Sequence, residues 1–352
     1  VQAELEGFQP VRITNITGEI GAALNYPVTM TVGGMATEVE IIAEVEQVET
    51  TTSQLDNVID EKRIMDLPLN GRNPLGLVFL TPGVSNYRGQ ASANGGRGRG
   101  NNYQLDGVDN NDTSVIGNIV DVNVDAVGEF RVITSNPSAE YGRAGSAIID
   151  VVTKSGSNEY HGNVFWFHRN DNLDAATWAQ NYYDLGKGEF KRNQYGASFG
   201  GPIIKDKLFF FFNTEQLKTR TAGSFTAITP TQAFRDQITN PAIASIFNTY
   251  YPLPNAGNPS VFDETGTVAW NGQYAWAEPD KYDSQEYTIK VDYAHSENHS
   301  FYGRYFTNII DSPTVGNLPG TDIGVYQFTG KSYSMALDWT CLLYTSDAAD
   351  DN

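Results

Sequence analysis

Residues 286–293 read EYTIKVDY. Tyr287, Ile289, Val291 and Tyr293 fall on one face of an extended chain, and Glu286, Thr288, Lys290 and Asp292 fall on the other. Strict alternation is the signature of a β-strand with two unlike environments. Tyr at both ends of the apolar face matches the aromatic girdles of a membrane barrel, and a charged opposite face matches its wet lumen. Residues 332–339 repeat the scheme, with Tyr333, Met335, Leu337 and Trp339 against Ser332, Ser334, Ala336 and Asp338.

The connections add a second signal. Strands are expected at 161–169, 193–203, 208–217, 285–294, 299–308 and 330–340. The joins at 204–207 and 294–300 are short, whereas those at 171–192, 218–284 and 309–328 are long and polar. Alternating short and long connections suit an outer-membrane barrel, whose turns face the periplasm and whose loops face outward. A loop as long as 218–284 is out of place inside a compact soluble domain. Six strands are too few to close a barrel around a plug, since the smallest barrels have eight. The chain is therefore read as a fragment, and residues 341–352 (CLLYTSDAADDN) as a non-native tail. The opening, VQAELEGFQPVRITNITGE, reads as the middle of a β-domain, so truncation is expected there too.

Composition narrows the function. The 352 residues include 34 Gly and carry a net charge of -19. That balance argues against double-stranded nucleic acid as a partner, which needs a basic face. One Cys excludes a disulfide framework and a thiolate zinc site. No apolar run reaches 18 residues, so no membrane helix is expected; barrel strands need only about 10 alternating residues.

Before the barrel, residues 1–43 show alternating strands around Gly33-Gly34, a hairpin signal, and read as the end of a small β-sandwich. Residues 44–66 are polar and then weakly helical, with Val58, Ile59, Ile64 and Met65 as an apolar face and Pro68 as the stop. Residues 67–160 form a turn-rich unit. In it, 86–102 is expected as an exposed loop, and 129–135 and 145–154 as strands. Val127, Phe130, Val132, Ile148, Ile149 and Val151 are expected to supply its core.

Several motifs invite chemistry and are read otherwise. Gly196–Gly200 (GASFG) fits the nucleophile-elbow pattern but lies within a candidate strand, with no helix after it. His295, Glu297 and His299 bracket a hairpin turn rather than one helix face, as a zinc protease requires. Asp106, Asp109 and Asp112, with Asn110 and Asn111, lack calcium-loop spacing and are read as side-chain-capped turns. Arg97 and Arg99 sit in a Gly-rich tract but do not make an acidic chain a nucleic-acid binder. No catalytic, metal or cofactor residue is assigned, and no enzyme activity is expected.

A family resemblance rests on LPLNGRN (67–73), LTPGV (80–84), NNYQLDGVDNND (101–112), SAEYGRAGSAIIDVVTKSGSNEYHG (138–162), FWFHRNDNLDA (165–175) and NQYGASFGGPIIKDKLFFF (193–211). In these the chain resembles a TonB-dependent outer-membrane receptor of the Oar-like group. The resemblance implies a β-rich fold: an α+β plug domain (44–160) inside an antiparallel transmembrane β-barrel (161–340), preceded by the end of a carboxypeptidase-regulatory-like β-sandwich (1–43). It implies a Gram-negative outer membrane and its lipid, a TonB-type inner-membrane energising complex, and uptake of an unknown external ligand too large or scarce for porins. A non-transporting adhesion or sensing barrel is the alternative, and a soluble carbohydrate-binding protein a third. Residues 37–44 (TEVEIIAE) are read either as a TonB box or as the last strand of the front domain. The plug motif comprises Leu67, Pro68, Asn70, Gly71, Arg72, Pro82, Gly83, Asp106, Gly107, Asp109, Tyr141, Gly142 and Arg143. Arg72, Arg97, Arg99, Arg131 and Arg143 are expected to face acidic lumen residues such as Glu286 and Asp292. Tyr250, Tyr251, Trp270, Tyr274 and Trp276 form a candidate ligand-contact loop.

Overall fold

The computed structural model describes residues 2–3, 7–14, 28–32, 39–42, 53–67, 69, 71–87, 89–112, 117–142, 144–176, 178, 181, 187–255, 261, 265–266, 268–296, 298–314 and 326–342. The chain divides into two compact units, Val1–Lys154 and Ser155–Asn352.

The first unit opens with a three-stranded sheet of β1 (Gln2–Ala3), β2 (Val11–Thr14) and β3 (Val39–Ile42), in that order. Gly33-Gly34 and the hairpin turn expected there lie outside the described residues. β3 pairs in parallel with β2, and Val32 bridges Phe8. Next comes β4 (Leu55–Ile59), then α1 (Glu61–Asp66). The expected helix is thus cut short, because Val58 and Ile59 belong to the strand. Asp60 ends the strand and caps the helix, its Oδ1 accepting from the Arg63 N–H at 2.7 Å.

β5 (Val84–Tyr87) and β6 (Gln90–Ala93) form a hairpin, followed by β7 (Asn102–Leu105), β8 (Val108–Asp109), β9 (Asn111–Asp112) and β10 (Gly117–Asn118). This corrects the exposed loop expected at 86–102: Ala91, Ser92, Ala93 and Gly98 are buried. Small side chains let the backbone pack where larger ones would fill a core, a signal easily mistaken for a loop. β11 (Val127–Ser135) and β12 (Ile148–Thr153) complete a mixed sheet of order β4-β11-β12-β7-β8. Phe130, Val132, Ile133, Ile148 and Ile149 are fully buried. Consecutive buried residues such as Ile148 and Ile149 show that this sheet is covered on both faces.

The second unit is one antiparallel sheet in which spatial order equals chain order: β13 (His161–Asn170), β14 (Phe190–Ile204), β15 (Leu208–Pro230), β16 (Asn271–Ser296), β17 (His299–Thr314) and β18 (Tyr326–Cys341). All six expected strands are present. β15 and β16 run much further than expected, pairing residue for residue from Leu208↔Tyr293 to Pro230↔Asn271. The long loop shrinks to 231–270 and carries α2 (Gln232–Arg235) and α3 (Pro241–Tyr250), capped by Thr231 and Asn240. The extension was hidden because Gly223, Pro230 and Pro279 and the charged residues at 218, 220, 278, 280 and 281 interrupt any strict alternation in its sequence. Ion pairs hold part of it: both Arg220 guanidinium nitrogens donate to Asp283 at 2.6 and 3.0 Å, and Lys281 donates to Asp311 at 2.7 Å.

The two faces of this sheet invert the rule for soluble proteins. Thr288, Lys290 and Arg304 are buried, while Ile289 is 44% exposed, Met335 69% and Leu337 81%. A soluble sandwich would bury the second set, so that reading is set aside. If lipid covers this face, Met335→Arg lowers insertion into bilayers by about 2–4 kcal/mol. Ser334→Arg, one residue away on the polar face, changes it far less. Denaturant titration of refolding into vesicles measures both.

Candidate functional site

The wall is built by register. Leu208, Tyr293, Phe301 and Trp339 lie in one row across four strands at the short-turn end. Phe301 stacks on Trp339 with ring centroids 6.0 Å apart, and the Trp339 indole N–H donates to His299 Nδ1 at 3.2 Å. The two His residues around the turn are therefore part of this aromatic row: His295 meets the Tyr293 hydroxyl at 3.1 Å. A second row contains Trp166, Tyr195 and Gln216. Eight residue steps separate Leu208 from Gln216, about 27 Å along the strand and about 20 Å at a tilt of about 40°. That approaches the apolar band of about 25 Å expected of such barrels.

The opposite face is polar and cross-linked. Gln194 donates to Glu215 at 2.7 Å, Arg304 to the Ser334 hydroxyl at 3.3 Å, and the Lys290 ammonium lies 5.2 Å from the Tyr302 ring centroid. Gly196–Gly200 lies in mid-strand in β14, and Ser198 donates to Asn163 at 3.1 Å. There is no strand-to-helix elbow at Ser198. A Cβ at Gly196 would strike the Thr214 carbonyl oxygen and the Phe165 ring, so close strand packing accounts for that glycine.

In the first unit, LPLNGRN is a device for aiming one cation. Leu67 closes α1, its N–H donating to the Arg63 carbonyl at 3.1 Å. Gly71 (φ 92°) and Arg72 (φ 55°) then reverse the chain, and Asn73 caps the 3-10 segment Pro74–Leu80. The turn directs Arg72 onto Asp125, which is fully buried. Arg131, itself buried, pairs with Asp56. These two corrections share one reason. Arg72 and Arg131 make ion pairs with acids of their own unit, where desolvation makes an unpaired charge costly. Arg97 and Arg99 are exposed; Pro68, Asn70 and Arg143 lie outside the described residues.

The other motif residues set turns. Gly83 (φ 81°), after Pro82, packs against Asn94, and Asn94 N–H donates to the Gly83 carbonyl at 2.9 Å. Asp106 (φ 49°) and Gly107 (φ 75°) form the β7–β8 turn, and the Asp106 carboxylate accepts from the Thr153 N–H and hydroxyl at 2.8 and 3.0 Å. Asp109 accepts from the Asn111 N–H at 2.8 Å. Tyr141 packs with Ile133 and Ile148, and Gly142 (φ 61°) leaves its short turn in a conformation that favours glycine.

Within the candidate ligand loop, Tyr251 packs on Phe247 and Trp270 on Phe234 as part of the loop's own core. Tyr250 is exposed and Tyr274 half-buried; the Trp276 side chain lies outside what is described. Sequence reading missed Arg235, whose guanidinium donates to the Tyr251 and Pro252 carbonyls at 2.6 and 3.1 Å and ties the loop together. It also missed Asp150. A carboxylate inside IIDVV was the visible signal.

Asp150 is buried beside Arg131 in the β11–β12 ladder. Burial, and then the charge of Asp106, push its carboxyl up from near 3.8 to about 6, against the attraction of Arg131. A raised folded pKa favours the protonated form. The associated stability is complete below about pH 4 and is lost as pH rises through 6, on the order of 3 kcal/mol. Amide exchange across Ile148–Thr153 should therefore slow as pH-corrected conditions move from 7 to 5, and Asp150→Asn should abolish the dependence. A second outcome concerns Arg72. Arg72→Ala leaves Asp125 buried with its charge partner removed and lowers stability by up to about 3 kcal/mol; Arg72→Met with Asp125→Leu recovers most of it. Denaturant midpoints give both values.

Residues 152–240 and 235–346 match the family described as an outer membrane beta barrel domain. The TonB-dependent transporter Oar of Myxococcus xanthus is 28% identical over 220 residues, covering 59% of this chain and 21% of Oar. The chain thus spans about a fifth of that relative's length. The outer membrane transporter YddB from Escherichia coli shares the fold, with a TM-score of 0.55 over 82% of this chain and 37% of YddB at 14% identity. On these grounds the chain belongs to the outer membrane β-barrel domain family, and its place is the outer membrane of a Gram-negative bacterium.

Proposed function

We propose that this chain is part of a plug-gated receptor that takes up a scarce or large external ligand, driven by a TonB-type inner-membrane energising complex. The observation that carries the reading is the order of two units in one chain. A turn-rich mixed sheet with paired buried charges comes first, and a strand-by-strand wall with an exposed apolar face follows. The first acts as the plug (44–160) and the second as the barrel (161–340) that holds it. Residues 1–43 are the end of a carboxypeptidase-regulatory-like domain. β3 lies in the small sheet beside β2, which supports the front-domain reading of residues 37–44 over a TonB box. Among the described residues β3 is the last strand of that sheet, and such an edge can take a partner strand.

The adhesion alternative draws on the loop 231–270, whose helix α3 exposes Ile243, Ile246 and Tyr250. The two readings separate in cells producing the full-length protein. Ligand accumulation should stop when the energising complex is deleted while surface adhesion continues. Accumulation unaffected by the deletion would contradict the transporter.

A further inference from the structure

The chain changes hands between Lys154 and Gly156. Lys154 is held by the first unit: its N–H donates to the Ala126 carbonyl at 2.8 Å, and its ammonium pairs with Glu61 at 2.8 Å. Gly156 already lies against the second unit. A Cβ there would strike the Phe210 carbonyl oxygen and stand 2.8 Å from that of Gly201, so the absence of a side chain lets this backbone settle on the β14–β15 ladder. Ser155, between the two, is exposed.

The residues that follow stay on the same support. Asn158 and Asp206, which sits in the turn between β14 and β15, bond reciprocally. The Asn158 amide donates to the Asp206 carboxylate at 2.7 Å, and the Asp206 N–H donates to the Asn158 side-chain oxygen at 2.8 Å. The Tyr160 hydroxyl donates to the Pro202 carbonyl at 3.0 Å. Its ring stacks on Phe199, with centroids 5.8 Å and planes 2° apart. A Cβ at Gly201 would enter that ring, so this glycine makes room for it. Within the segment, the Ser157 hydroxyl donates to the Glu159 carbonyl at 3.0 Å. All of this precedes the ladder of β13 with β14, which starts at His161↔Gly200.

We propose that Gly156–Tyr160 is a clasp that fastens the entry to the barrel sheet, and that Ser155 is the joint at which opening of the first unit stops. Parts of a protein open separately where few contacts bind one to the next. Here the boundary is Ser155 alone. The first unit can open as far as Lys154 while Asn158–Asp206 and Tyr160–Phe199 keep β13 from peeling off β14. The clasp stands without the receptor reading, which gives it a use: a first unit that is pulled from its N-terminal side needs a fixed end at which the pull stops.

The test is proteolysis of the full-length protein in detergent at rising urea, with fragments identified by mass. Trypsin cuts after Lys154 and Arg169, and a glutamate-specific protease cuts after Glu159. Each rate is referred to that of the same site in a free peptide of residues 148–172, so that it reports the population of the open form. At the urea concentration where Lys154 becomes accessible, cleavage after Glu159 should be at least about tenfold slower, and β13 should stay uncut at Arg169. Asn158→Ala with Asp206→Gly, which suits the positive φ of 62° at that turn, should bring Glu159 to within about threefold of Lys154. Equal cleavage after Lys154 and Glu159 in the unaltered protein would overturn the clasp. So would cleavage after Arg169 that sets in together with that after Lys154, or a double variant as protected at Glu159 as the unaltered protein. Proteolysis is read without ligand or energised membrane, so its failure leaves the transport reading intact, and uptake that ignores the energising complex would overturn transport alone.

Discussion

Hydrocarbon offers no water to a peptide group, and the barrel unit is organised by that constraint. Each backbone N–H and C=O in the bilayer must find a partner in protein, so strands cross it only as a paired ladder. The ladder from β13 to β18 meets this in the simplest way, each strand pairing with its neighbours in chain order. The side-chain pattern follows from the ladder. Residues opposite one another in register point to the same side, so Thr288 and Phe306 share one face while Ile289 and Tyr305 share the other. A one-residue slip would exchange the faces and bury charge in lipid. The aromatic row of Tyr293, Phe301 and Trp339 sits where the apolar band ends and where rings with polar edges are most at home.

The first unit answers a different problem. It keeps charges inside a small sheet and must neutralise them locally. Arg72 with Asp125 and Arg131 with Asp56 do so, and each pair joins segments far apart in the chain. Asp150 is the strained member, buried beside an arginine already paired with another acid. Such pairs favour one arrangement of the segments over others while adding little net stability, since desolvation offsets most of the attraction.

What the sequence made legible depended on whether one residue's environment differed from the next. Where lipid and lumen alternate, as at Tyr287–Tyr293 and Tyr333–Trp339, the strands could be read directly. In β15 and β16 beyond the upper aromatic row, Gly, Pro and charged residues interrupt the alternation, and the strands passed for loop. The Gly and Ala residues at 91–100 misled for the opposite reason, since small residues serve tight packing as readily as open turns. The roles of Arg72 and Arg131 could not be read, because their partners lie 53 and 75 positions away. Asp125 and Asp56 carry no local mark of that role.

The two-faced wall is the central claim, and accessibility along β16 tests it most directly. With Cys341 replaced by serine, single spin-labelled cysteines are placed at successive positions from 286 to 293 in bilayer-reconstituted protein. Their collision rates are then measured with oxygen, which concentrates in lipid, and with a water-soluble nickel chelate. The account predicts alternation: 287, 289, 291 and 293 favour oxygen, and 286, 288, 290 and 292 do not. Uniform accessibility along the strand, or oxygen favouring the even positions, would contradict it.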